Sequence, residues 1–164
     1  MRKSFFAFFL LLLGLDVVSK MAAIEWVPPM KWMNSYPFGG IGLFEIGKVT
    51  FSLNFVTNTG AAWGVFAGHS GLLFAARLAI ISCLSVFLVF FNKGKINAFP
   101  MWLVLTGAIG NAIDYWSYGH VIDFFHFTFW GASFPVFNMA DSYISLGAVA
   151  FLLSSRSKQA VPAP

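Results

Sequence analysis

Three of the chain's six carboxylates, Asp114, Asp123 and Asp141, fall within residues 107–141, among glycines, aromatics and asparagines. Asp123 sits between Ile122 and Phe124, and Asp141 follows Asn138, Met139 and Ala140 at the head of an apolar run. A charge at bilayer depth costs roughly 2.5 to 3.5 kcal/mol on insertion scales, so acids placed where hydrocarbon begins face a cavity or a partner. Two carboxylates about 4 Å apart repel by about 4 kcal/mol at an effective dielectric of about 20. One of them therefore keeps its proton near neutral pH. Such a half-protonated pair can draw a proton from water with one member and hydrogen-bond a scissile carbonyl with the other. The same acids also fit a proton relay, an ion site or buried structural partners of Lys or Arg.

Other chemistries find less support in the residue types. His120 and His126 flank Asp123, but no H-E-x-x-H motif or i, i+4 ligand pair accompanies them, so no metal is expected and they read as interfacial histidines, as does His69. No G-x-S-x-G elbow is present, and Ser133, Ser142 and Ser145 have no base at a recognisable spacing. The acids are single and separated, unlike the D-x-x-D-G cluster of metal-dependent alcohol-phosphatidyltransferases. Cys83, the only cysteine, lies in an apolar run and reads as a packing residue.

The composition says what must position these acids. Of 164 residues, 59% are hydrophobic and 10% charged, against about 25% charged in an ordinary soluble domain. An α-helical integral membrane protein of one domain over residues 1–164 follows. The net charge of +4 comes from dispersed basic residues, with no basic stripe for nucleic acid.

Taken in order, Arg2 and Lys3 precede an apolar segment that continues past Asp16 and Lys20. A span over 5–26, long enough for roughly 30 Å of hydrocarbon, is expected to be retained rather than cleaved. Asp16 and Lys20, four apart, share a helical face and can pair or turn together toward the site. Residues 27–70 are turn-rich around Pro28, Pro29, Tyr36 and Pro37, then β-leaning at 43–46 and 49–56, so a small sheet on the membrane is expected. Further spans are expected at 71–91, where Arg77 snorkels or pairs, at 98–114, where Gly107 and Gly110 permit close packing, and at 137–153. Between the last two, residues 115–136 read as an aromatic interfacial loop, and the tail 159–164 reads as disordered. Arg2/Lys3, Lys93/Lys95 and Arg156/Lys158 fall on one side of this four-span model, making both termini cytoplasmic and the sheet, loop and acids extracytoplasmic. No paired repeats of a transporter are visible.

Four ordered stretches then resemble one family. Residues 58–64 read N-T-G-A-A-W-G, 107–114 read G-A-I-G-N-A-I-D, 119–124 read G-H-V-I-D-F, and 137–141 read F-N-M-A-D. These resemble the motifs of lipoprotein signal peptidases (signal peptidase II), the bacterial intramembrane aspartic proteases, over nearly the whole chain. The resemblance implies a catalytic dyad of Asp123 and Asp141. It implies that Asn58, Gly60, Asn111, Asp114, Asn138 and Ala140 bind substrate or shape its site, with Asp16 and Lys20 as the first span's acid and base. It also implies a substrate that is a prolipoprotein bearing diacylglycerol on a cysteine, cut before that cysteine, in the inner membrane, by a monomer without cofactor. Membrane lipid is the other expected partner. One departure stands out: Tyr115 occupies the position where the family usually has Arg, and a weaker, neutral hydrogen bond is expected there.

Overall fold

The computed structural model describes residues 2–59, 70–92 and 97–157. Residues 60–64 of the 58–64 motif, Gly60 among them, with His69, Lys93, Lys95, Lys158 and the tail, lie outside them.

Helix α1 (Arg2–Trp26) runs into a turn-rich segment and a hairpin of β1 (Ile41–Ile46) and β2 (Val49–Asn58). Helix α2 (Ser70–Val86) ends in a π-helical turn, Phe87–Phe91. Helix α3 (Ala98–Tyr118) leads into β3 (Val121–Phe129), the short β4 (Ala132–Ser133) and helix α4 (Met139–Ser157). The strands form one antiparallel sheet in the order β1-β2-β3-β4.

The segment 115–136, expected as an interfacial loop, is corrected by this architecture. Helix α3 continues to Tyr118 and stops at Gly119, whose left-handed φ of 75° is free of strain only without a Cβ. From there V-I-D-F-F-H-F-T-F, rich in β-branched and aromatic residues, pairs along β2 as an inner strand. The aromatic content that reads as interfacial is that of a sheet face. The hairpin is likewise longer than the expected 43–46 and 49–56, and α4 begins at Met139 rather than 137.

Strand β2 carries a bulge between Leu53 and Val56, where residues 54 and 55 oppose one residue of β3. Phe55 turns its backbone to the preceding segment instead: its N–H donates to Pro28 O at 3.0 Å and its carbonyl accepts from Met30 N at 3.0 Å. Asn54 Nδ2 donates to Pro37 O at 2.8 Å. Past the bulge, Asn58 pairs with Val121, at the β3 end nearest Asp123.

Helices α3 and α4 approach closely because glycines line their contact. A Cβ on Gly107 would strike the Ala140 carbonyl oxygen, and one on Gly147 would lie 2.6 Å from Pro100 O.

The distribution of polarity is inverted relative to a soluble domain. Leu10, Leu11, Val18 and Met21 of α1, Ile80 of α2, and Leu146, Leu152 and Leu153 of α4 are exposed. Asp16, Lys20, Asn54, Asp123, His126 and Asn138 are almost wholly buried. Such an exterior is matched by hydrocarbon, not water. Two helical stretches, Phe6–Trp26 and Phe74–Phe91, are long and apolar enough to cross a membrane, and Met139–Ser154 is a shorter apolar one.

Candidate active site

The site lies where α1, α3, β3 and α4 meet. Asp123 comes from β3 and Asp141 from the first turn of α4. Asn138 joins them: its Nδ2 donates to Asp123 Oδ1 at 2.7 Å, and its Oδ1 accepts from Asp141 N at 2.9 Å. Asp141 Oδ2 in turn accepts from Asn138 N at 3.3 Å. This reciprocal pair is a capping box, with Asn138 as N-cap and the acid three residues on. The spacing N-x-x-D in 138–141 is thus a helix-start signal as well as a site motif, and sequence reading took only the second meaning from it.

Each remaining carboxylate oxygen of the pair also accepts an amide. Asn58 Nδ2 donates to Asp123 Oδ2 at 3.0 Å, and Asn111 Nδ2 donates to Asp141 Oδ1 at 2.8 Å. Asp123, 2% exposed, is pushed up to about 7 by burial and by the nearby charge of Asp141, against the opposing hydrogen bonds of Asn58 and Asn138 and the charge of Lys20.

Beneath the pair lies a buried ionic cluster. Lys20 Nζ donates to Asp16 Oδ2 at 2.8 Å, Asp114 Oδ2 at 2.8 Å and Asn111 Oδ1 at 3.0 Å. The Asp16–Lys20 face thus does both things open to it in the sequence: the two residues pair, and they turn inward together. Asp16 Oδ1 accepts from Ala140 N at 2.9 Å, holding the start of α4. Asp114 Oδ2 also accepts from Ile122 N at 3.2 Å, tying α3 to β3. Asn138 Nδ2 lies 3.1 Å from both Asn111 Oδ1 and Ile122 O.

Asp16, Lys20, Asn58, Asn111, Asp114, Asp123, Asn138, Ala140 and Asp141 thus form one connected group. Ala140 is fully buried, and Asp114 is engaged by Lys20 and Ile122. Tyr115 stacks on Phe74 of α2 with ring centroids 4.6 Å apart. His126 is not interfacial but fully buried. Its Nε2 bonds Ser133 Oγ at 2.7 Å, its ring packs edge-on to Phe38, and burial lowers its proton affinity.

Known proteins resemble this chain throughout. A model of the signal peptidase (SPase) II family matches residues 8–156. The lipoprotein signal peptidase of Chlamydia felis (strain Fe/C-56) is 36% identical over 143 residues, covering 82% of this chain and 86% of the relative. That of Thermodesulfovibrio yellowstonii is 33% identical over 156 residues, covering 95% and 96%. A solved bacterial membrane enzyme, determined by the in meso method at 2.3 Å resolution, shares the fold with a TM-score of 0.72 at 24% identity, over 99% of this chain and 95% of that one. With its lipid-facing exterior and its acids drawn inward, the chain belongs to the signal peptidase II family, the peptidases of lipoprotein processing.

Proposed function

We propose that this chain removes the signal peptide of diacylglyceryl-modified prolipoproteins by an aspartate dyad, Asp123 and Asp141, cutting before the lipidated cysteine. The observation that carries the reading is Asn138, whose side-chain NH2 donates to the Asp123 carboxylate while its backbone N–H donates to the Asp141 carboxylate, so that one residue holds acids from two elements. Asp123, its proton held by burial, hydrogen-bonds the scissile carbonyl. Asp141 takes a proton from water, whose oxygen attacks the carbonyl carbon. The C–N bond then breaks as Asp123 delivers its proton to the leaving amine of the cysteine. Asn58 and Gly60 meet the substrate, while Asn111, Asp114, Asn138 and Ala140 shape the floor beneath it.

Substrate acyl chains in the bilayer anchor the peptide at about 0.8 kcal/mol per buried methylene, setting the scissile bond at the depth of the dyad. The protein, a monomer, crosses the bacterial inner membrane four times, with both termini in the cytoplasm and the sheet outside. The inverted exterior and the placement of basic residues in sequence support this reading.

The test incubates wild type, Asp123→Asn and Asp141→Asn in detergent with a diacylglyceryl-modified prolipoprotein, following the shift to mature size by gel. Wild type is expected to cleave and both folded variants to be inert. An inert wild type, or a variant that cuts normally, overturns the reading and directs attention to proton flux in liposomes.

A further inference from the structure

Lys20 is the deepest cation of the site, yet it touches neither member of the pair that we assign to catalysis. Its Nζ has three protons and no lone pair, and among its acceptors are Asp16 of α1 and Asp114 and Asn111 of α3. The third contact has a directional consequence. Asn111 can face an ammonium only with its carbonyl, so its NH2 must point the other way, where it meets Asp141 Oδ1 at 2.8 Å. A reversed Asn111 would set donor against donor at Lys20 and acceptor against acceptor at Asp141. Asn138 reinforces the same sense, since its NH2 also lies 3.1 Å from Asn111 Oδ1.

We propose that Lys20 is a positioning residue for the dyad: it locks the Asn111 amide so that Asp141 Oδ1 always receives a hydrogen bond and stays an acceptor, ready to take a proton from water. Asp141 is faced by Asp123 of β3, by Asp16 and Lys20 of α1, by Asn111 of α3 and by Asn138 at its own helix start. Of these, Asn111 is the group that carries Lys20's direction to Asp141. A donor fixed on Oδ1 favours the ionised form of that carboxylate before substrate arrives. The inference rests on the dyad reading above and adds to it how the base is kept a base.

The decisive variant is Asn111→Asp, assayed in the full-length protein with diacylglyceryl-modified prolipoprotein. It keeps an acceptor for Lys20 and Asn138 but offers no donor to Asp141. We expect kcat to fall on the order of 100-fold, as when one preorganised donor to a reacting charge is lost, with KM changed by less than about threefold. The acid side of the kcat–pH profile should move to higher pH. Lys20→Arg, which still presents donors to Asn111, should keep the wild-type profile. Lys20→Gln combined with Asp114→Asn removes the cation and the charge of one of its two acid partners, leaving Asp16 its bond from Ala140 N, and should shift the profile as Asn111→Asp does. If that double variant fails to fold, Asn111→Asp decides alone, because it leaves Lys20 with its acceptors.

Wild-type kcat in Asn111→Asp overturns the proposal. So does a loss of equal size at every pH, which marks a packing role. Both outcomes differ from failure of the dyad reading itself, which would show as activity in Asp123→Asn or Asp141→Asn, or as an inert wild type.

Discussion

Asp123 combines deep burial with two donated amides, and these oppose each other: burial favours the neutral acid, the amides favour the anion, and burial wins. The ordinary value of 3.8 is raised in the folded protein to about 7. A raised carboxyl binds its proton more tightly folded than unfolded, so its stabilisation is complete below about 3.8 and is lost as pH climbs through about 7. Cleavage should therefore decline as pH rises past about 7, once Asp123 loses the proton it must deliver. Thermal unfolding in detergent provides the independent check. Asp123→Asn should gain on wild type in Tm as pH rises from about 3.8 to about 7 and hold that gain above it, and a pH-independent difference would refute the shift. That the two acids share one place was expected from their motifs, and the structure does bring them together through Asn138. Which amide meets each oxygen was not legible, because it depends on what β2, α3 and α4 bring there, and no spacing in the chain records that.

At the scale of elements, the start of α4 has two holders. Asn138 caps it from within, and Asp16 reaches from α1 to Ala140 N. Asn138→Ser separates capping from the dyad, since a serine hydroxyl caps a helix start but does not reach Asp123 as the amide does. It should lose cleavage together with the bonds of the buried NH2 to Asp123 and Ile122, yet unfold at a higher temperature than Asn138→Ala, which loses the cap as well at a further cost of about 0.5 to 2 kcal/mol. Gly110 marks the other constraint, because a Cβ there would run into Asp16 Oδ2. Gly110→Ala should displace Asp16 from Ala140 N and cost about 1 to 3 kcal/mol, read by thermal unfolding, together with activity; an unchanged Tm would mean the helices separate freely. Sequence reading anticipated close packing at Gly107 and Gly110, but not that Asp16 is what Gly110 makes room for. It missed β3 for a related reason. Alternation along 121–129 is hidden when both faces are apolar, as Phe124 faces the core while Phe125 and Phe127 face other rings.

For the whole molecule, hydropathy spoke most directly. Exposed leucines outside and buried ionic groups inside are what the composition and the isolated acids required together. The sidedness proposed above has a simple check. Met33, 98% exposed in the segment between α1 and β1, should, as Met33→Cys in a Cys83→Ala background, react with a membrane-impermeant maleimide from outside the inner membrane. Labelling that needs access from the cytoplasm would reverse the topology. Restoring Arg at position 115 belongs to this scale as well, since Tyr115 joins α3 to α2 through Phe74. That variant should loosen the α2 contact and change substrate affinity more than turnover, measured as KM against kcat.

The capping box has a consequence in time. Because Asp141 is both the first-turn acid of α4 and half of the proposed dyad, the event that starts this helix also sets that carboxylate in place. Its two anchors outside the box, Asp16 and Asn111, are synthesised earlier and wait for it. On the dyad reading proposed above, a nascent chain carries no complete pair while it is threaded into the bilayer, and the pair is completed by the last of the described helices to emerge from the ribosome.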